Sequence, residues 1–189
     1  MFLLKKKYFF IIETINDIDL KKFKNLNKFN IIYRYTQLAD DREKLKRFVK
    51  HCKSKKIHFY IANDVLLMRE LKADGLYISA SNKKIYFNLN CKKYKIIGAA
   101  HNLREFNVKK RQRCSEILLS RLFETNYKNK QNFFGFIKFN LLIKNYNYRF
   151  IPLGGINFNN LRILCNVNSE GMALSGQIKA DNSFNRILY

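Results

Sequence analysis

A chain of 189 residues with 47% hydrophobic and 15% aromatic content can bury a sizeable core within one domain, which excludes a disordered polypeptide. The formal charge of +23 accompanies heavy use of Lys, Asn, Ile, Phe and Tyr, the set favoured by AT-rich coding, so composition accounts for much of the lysine. Such a charge admits nucleic acid, an anionic membrane surface or small phosphorylated ligands as partners.

The first residues, Met1–Ile12, carry lysines at positions 5 to 7 and only a brief apolar run after them. No long apolar region or small-residue cleavage site follows, so no signal peptide is expected. No stretch approaches the roughly 18 apolar residues of a membrane span. Cys52, Cys91, Cys114 and Cys165 are widely spaced without a C-x-x-C pair, the pattern of reduced thiols rather than of a zinc site. A soluble, cytoplasmic protein is expected.

The first strand is expected at Tyr8–Glu13, followed by a short lysine-rich crossover over Ile15–Phe29. Strand Asn30–Tyr35 leads to helix Asp41–Lys55, and strand Ile57–Asn63 to helix Asp64–Leu71. Strand Gly75–Ser79 precedes a helix over Asn82–Lys92, and strand Lys95–Ala100 precedes helix Leu103–Arg113. Strand Ile117–Leu122 is followed by helix Phe134–Asn145, strand Phe150–Leu153 by helix Asn159–Asn166, and Gly171–Leu174 forms the last strand. The strands are continuous apolar runs, as parallel strands covered on both faces require. Eight strands alternating with helical slots predict an α/β fold, a compact single-domain (β/α)8 TIM barrel spanning 1–189.

In such a barrel function lies at the C-terminal ends of the strands. Those ends hold Arg34, Asn63 and Asp64, Ser79 to Asn82, His101, Ser120 to Lys128, Gly154 and Gly155, and Ser175 and Gly176. The set is polar and rich in glycine, although the chain has only seven glycines and one proline. The last two ends suit the phosphate site that these barrels often build after strands seven and eight.

Ile61-Ala-Asn-Asp64, Ala73-Asp-Gly75, Ala100-His101, Phe123-Glu-Thr125 with Lys128, Leu153-Gly-Gly-Ile156 and Gly171-Met-Ala173 occur in one order and spacing. Together they resemble the thiamine phosphate synthase and thiazole tautomerase superfamily over roughly Ile31 to Ile178. In the synthases a Mg²⁺-bound hydroxymethylpyrimidine diphosphate loses pyrophosphate, and the ring nitrogen of a thiazole phosphate captures the pyrimidine. Fixed cations and a metal lower that barrier by stabilising charge on the leaving diphosphate.

The resemblance implies roles by position. Arg34 matches the diphosphate arginine, although Ile32 and Thr36 replace its glutamine and lysine companions. Asn63 matches a diphosphate contact and Asp64 a Mg²⁺ ligand. The second metal carboxylate falls on Asn82. His101 is kept, while Ala99 replaces a preceding serine. Thr125 and Lys128 match a loop that grips the diphosphate, with Tyr127 at its second threonine. Gly155 matches the glycine whose backbone holds the thiazole phosphate, and Ser175 and Gly176 occupy the second backbone contact. The implied catalytic group is thus Arg34, Lys128 and His101; the substrate-binding group is Asn63, Thr125, Gly155, Ser175 and Gly176; Asp64 and Asn82 are the metal pair. The implied cofactor is Mg²⁺, and the partners are hydroxymethylpyrimidine diphosphate and thiazole phosphate.

Plainer roles stand beside these. Asp64 suits the N-cap of the helix that follows. Arg34 could pair with Asp64 or Glu13, His101 could cap or orient a helix, and Lys128 could be solvated. The glycine pair could serve close helix packing. In the tautomerase branch a histidine in this region is the proton-transfer group. The basic runs Lys5–Lys7, Lys53–Lys56 and Lys109–Arg113 read as solvated faces. Lysines on nearly every helix form no single stripe, which argues against nucleic acid. The alternatives to the synthase are a tautomerase-like isomerase, for which the losses at Ile32, Thr36 and Asn82 speak, and a silent thiazole-phosphate-binding barrel. A homo-oligomer stays open.

Overall fold

The computed structural model describes residues 7–23, 28–36, 40–125 and 133–175. Eight parallel strands close on themselves in sequence order. They are β1 (Lys7–Ile12), β2 (Phe29–Tyr33), β3 (His58–Ala62), β4 (Gly75–Ile78), β5 (Lys95–Ala100), β6 (Glu116–Ser120), β7 (Phe150–Leu153) and β8 (Gly171–Ser175). Closure is made by β8 against β1, with Lys7 opposite Gly171 and Ile11 opposite Ser175. The α-helices among the described residues are α1 (Arg42–Ser54), α2 (Val65–Glu70), α3 (Leu103–Arg111) and α4 (Gly135–Lys144). This is the expected (β/α)8 barrel, with strand boundaries within about two residues of the sequence pattern.

The continuous apolar character of the strands follows from burial on both faces. Along β1, Tyr8, Phe10 and Ile12 face the outer helical layer, while Phe9 and Ile11 fill the barrel. The interior is closed by Ile32, Tyr60, Tyr77, Ile97, Leu118 and Ile151, so it is packed core rather than a channel.

Three connections depart from the expected helices. Among the described residues the crossover after β1 holds 3-10 turns at Ile15–Asp17 and Leu20–Lys22 and no α-helix. The slot after β7 likewise holds 3-10 turns at Phe158–Asn160 and Ile163–Asn166 in place of one helix. Asn157 and Asn160 exchange side-chain-to-backbone bonds of 2.9 and 3.2 Å there, which competes with helix continuation.

No helix forms over Asn82–Lys92. Asn82 Oδ1 accepts the Lys84 N–H at 2.9 Å, and Asn90 Oδ1 accepts the Lys92 N–H at 2.9 Å. Such Asx turns satisfy backbone donors outside a helix. Backbone acceptors of this irregular segment go instead to α3. Lys109 Nζ donates to Asn82 O at 2.7 Å, and Gln112 Nε2 donates to Lys84 O at 2.7 Å. The basic run Lys109–Arg113 is therefore not a solvated face throughout, because Lys109 and Gln112 are buried.

The floor of the barrel holds a second exception. Glu116, fully buried, faces Lys7 Nζ at 2.7 Å, Lys95 Nζ at 2.9 Å and Arg149 Nη1 at 3.9 Å. Lys7, expected to be solvated, thus belongs to an ionic plug.

Candidate active site at the C-terminal mouth

The expected site residues distribute over two arcs of the same rim. On the first arc, β3 ends in Asn63, whose backbone is left-handed with φ +59°. Asparagine tolerates this conformation better than most residues. Its N–H donates to Tyr77 O at 2.8 Å, which ties it to β4. Its side chain is held as firmly: Oδ1 accepts from Ser79 N at 3.0 Å and Asn82 Nδ2 at 2.9 Å, and Nδ2 donates to Ser79 Oγ at 3.0 Å. One Nδ2 hydrogen is left for a ligand oxygen.

Asp64 caps α2, with Oδ1 accepting Leu67 N–H at 2.9 Å, and Oδ2 accepts the Tyr35 hydroxyl at 2.9 Å. Burial, then the bond to Asp64, raises the Tyr35 pKa to about 12, so the tyrosine remains a donor. Asn82 turns its amide nitrogen to Asn63 and to Tyr86 Oη, at 2.9 and 3.0 Å, and its oxygen to Lys84 N. Asp64 and Asn82 therefore do not converge as a ready ligand pair. Among the described residues no group of three or more His, Cys, Asp or Glu gathers to hold a metal. Mg²⁺ is often held by one carboxylate together with substrate phosphates, and Asp64 with its spare lone pairs fits that requirement alone.

Arg34 follows β2 and is exposed. It makes no ion pair with Asp64 or Glu13 among the described residues; its guanidinium faces the hydroxyl of Tyr77 instead. Tyr77 is fully buried, and burial raises its pKa while Arg34 opposes the shift. The arginine is thereby anchored over the barrel interior with charge to spare for an anion. Ile32, two residues before it, is wholly buried in the barrel interior, so the position offers no polar group. A cavity of about 760 Å³ opens beside this arc, bounded by Tyr35, Asn63, Asp64, Lys84, Tyr86 and Phe87. A smaller cavity of about 450 Å³ lies at the opposite end, near Glu116 and Arg149, away from the mouth.

The second arc is built by β6, β7 and β8. Arg121 Nη1 donates to Thr125 Oγ1 at 3.0 Å. A Cβ on Gly154 would stand 3.0 Å from Arg121 Cγ, so the arginine lies along the glycine turn. Gly154 and Gly155 have φ of +93° and +69°, and Gly155 O accepts Asn160 Nδ2 at 2.7 Å. Ser175 ends β8, exposed beside β1. Lys128 and Gly176 lie outside the described residues. The sequence places Arg121 only within the rim segment Ser120 to Lys128 and assigns it no role, although an arginine one residue past the sixth strand was the available signal.

Between the arcs stands His101, at the end of β5. Its Nδ1 meets Glu105 Oε2 at 2.9 Å, and its N–H donates to the same oxygen at 2.7 Å. The α3 cap is Asn102, whose Oδ1 accepts Glu105 N–H at 2.9 Å, so His101 is oriented by the helix rather than capping it. Nε2 is the ring nitrogen available to a substrate.

The model of the thiamine monophosphate synthase family matches residues 30–178. Among solved structures, the chain resembles thiamine phosphate pyrophosphorylase from Pyrococcus furiosus with TM-score 0.73 at 12% identity, covering 98% of this chain and 93% of that one. A truncated 3-deoxy-D-arabino-heptulosonate 7-phosphate synthase from Thermotoga maritima follows at TM-score 0.64 and 12% identity, over 96% and 83% of the two chains. A glycerol uptake operon antiterminator-related protein, also from Thermotoga maritima, gives 0.58 and 12% over 97% and 98%. These likenesses show the barrel fold. A search of curated protein sequences finds no match. No helix among the described residues is long and apolar enough to cross a membrane. The match across most of the chain, on the barrel whose mouth is described above, shows that the protein belongs to the thiamine monophosphate synthase family.

Proposed function

We propose that the protein is a thiamine phosphate synthase-like transferase that joins hydroxymethylpyrimidine diphosphate to thiazole phosphate and releases pyrophosphate. The observation that carries this reading is the presence of two anion-suited arcs on one barrel mouth. Arg34 and Asn63 stand on the β2–β3 side, and the Gly154–Gly155 turn with Arg121 and Thr125 stands across from them. An enzyme that couples two phosphorylated substrates needs two such loci, held so that the reacting atoms approach.

On the first arc Arg34 and the spare Asn63 N–H would hold the diphosphate. The bond from the pyrimidine methylene carbon to the diphosphate oxygen breaks, and the electron pair leaves with pyrophosphate. The thiazole ring nitrogen supplies the pair for the new carbon–nitrogen bond. Charge grows on the departing oxygens, so fixed donors aimed at them lower the barrier. Mg²⁺, when bound, would supply charge neutralisation on the diphosphate, with Asp64 as its protein ligand. The backbone of the β7 turn and the end of β8 would hold the thiazole phosphate.

Thiamine phosphate formation from the two substrates and Mg²⁺, followed with and without EDTA, tests the reading. Product that requires the metal is the expected result; no product while thiazole phosphate still binds would overturn it. Asn63→Ala should cost roughly 10- to 100-fold in kcat/KM, the range for one hydrogen bond to a charged group. Steady-state kinetics with unchanged circular dichroism would check this.

The His101–Glu105 pair favours a second reading, an isomerase of the thiazole tautomerase kind. A carboxylate on Nδ1 fixes the ring and leaves Nε2 to move a proton. His101→Ala would then abolish isomerisation, which requires a proton to be moved, whereas the transferase, whose carbon–nitrogen bond forms on the thiazole's own electron pair, should be slowed rather than abolished. Direct comparison of the two reactions in the same variant separates them.

A further inference from the structure

Lys109 is the most deeply buried cation described, with no solvent exposure. Its Nζ donates to Ser79 O at 2.6 Å, Asn82 O at 2.7 Å and Gln112 Oε1 at 3.0 Å, so three donors meet three neutral oxygens. Burial lowers its pKa, and Cys114 and then Glu105 partly oppose the shift. Gln112, one turn on, donates to Asn82 O at 3.0 Å and Lys84 O at 2.7 Å. Together Lys109 on α3 and Gln112 at its C-cap grip three carbonyls in the segment after β4.

That segment has no helix of its own to use those carbonyls. It is also the segment whose Ser79 and Asn82 side chains hold the Asn63 amide, at 3.0 and 2.9 Å. A continuous chain of contacts therefore runs from α3 through the 79–84 backbone to Asn63. Burying an ammonium without a carboxylate in contact is costly, and a purely structural link could have been made by neutral groups. The arrangement is economical if an anion binds at the mouth beside it.

We propose that Lys109 and Gln112 form a positioning clamp that sets the Asn63 amide for the diphosphate of the substrate and supplies fixed positive charge behind it. The inference rests on the reading that the Asn63 arc takes the diphosphate. Neither residue touches substrate; both act through Ser79 and Asn82.

Isothermal titration of inorganic pyrophosphate and, separately, of thiazole phosphate into the full chain tests the clamp. Lys109→Met should weaken pyrophosphate binding about tenfold or more, as expected when a binding group loses its position, while thiazole phosphate binding stays within about twofold. In turnover, KM for the diphosphate should rise more than kcat falls. Gln112→Leu should give a smaller loss of the same kind, and it carries the test if Lys109→Met does not fold. Wild-type affinity for pyrophosphate in a folded Lys109→Met, or in Gln112→Leu, overturns the clamp alone. Failure of the wild-type protein to bind pyrophosphate overturns the diphosphate reading and the clamp with it. Equal losses for both ligands would reduce Lys109 to a stability role and overturn the proposal too.

Discussion

Glu116→Gln should lower stability by about 2–4 kcal/mol at neutral pH and the melting temperature by roughly 5–15 °C, although the substitution conserves shape. The carboxylate is fully buried at the barrel floor among Lys7, Lys95 and Arg149. Neutralising it leaves three cations converging on one point. Breaking a buried ion pair by removing one partner typically costs about 3–5 kcal/mol, and solvent screening of the lysines, about a third exposed, lowers the cost here. The floor joins the starts of β1, β5 and β6, so the loss is paid in barrel closure rather than locally.

The same site fixes the pH dependence. Burial pushes the Glu116 carboxyl up, but Lys7 and Lys95 outweigh it and hold the group below the ordinary carboxylate range. Lys95 is drawn the other way by its own burial, which lowers its pKa against the pull of Glu116. Glu116 governs the linkage, because its contacts with two ammonium groups are direct. A folded-state pKa below the unfolded value stabilises the protein fully above about 4.3, and the contribution is lost as pH falls through the folded value. The gap between wild type and Glu116→Gln should therefore be constant near neutrality and shrink in acid. Melting curves at pH 7 and pH 3 check both statements; a gap that is absent at pH 7 or undiminished in acid contradicts them.

The strands were legible because each is buried on both faces, which imposes continuous apolar runs such as Phe9–Ile12 and Ile31–Tyr33. The rim positions at Arg34, Asn63, Asp64 and His101 followed once the strand ends were known. What was not legible depends on where polar side chains find partners. Lys109 stands in the run Lys109–Arg113 and looks solvated in sequence, yet its partners are carbonyls about 30 residues away. Glu116 begins an apolar strand and gives no sign that Lys7, 109 positions earlier, will meet it. The helix expected over Asn82–Lys92 failed because asparagines at 82 and 90 took backbone donors that a helix would have used. Arg121 was hidden because only the packing of β6 against the β7 turn brings it to Thr125 and Gly154.

Gly155→Ala should be the most damaging single-methyl change at the mouth. The residue has φ +69°, and a left-handed backbone costs a residue with a Cβ about 1–2 kcal/mol. The added carbon would stand 2.3 Å from Glu124 O and 2.5 Å from Phe123 O, both backbone atoms that cannot swing aside as a side-chain tip would. Overpacking adds about 1–3 kcal/mol, so the total loss is about 2–5 kcal/mol. Relief requires the β7 turn to move away from the loop after β6. That displacement would pull Gly155 O from Asn160 Nδ2, now at 2.7 Å, and shift the backbone donors proposed for the thiazole phosphate. Pyrophosphate binding at the Asn63 arc should survive in the folded fraction, because that arc is tied to β4 and α3 instead. Thermal melts together with separate titrations of thiazole phosphate and pyrophosphate measure all three quantities. Loss of the first ligand with retention of the second places the two phosphate loci on separate arcs. A stable variant that binds thiazole phosphate normally would remove the β7 turn from the site.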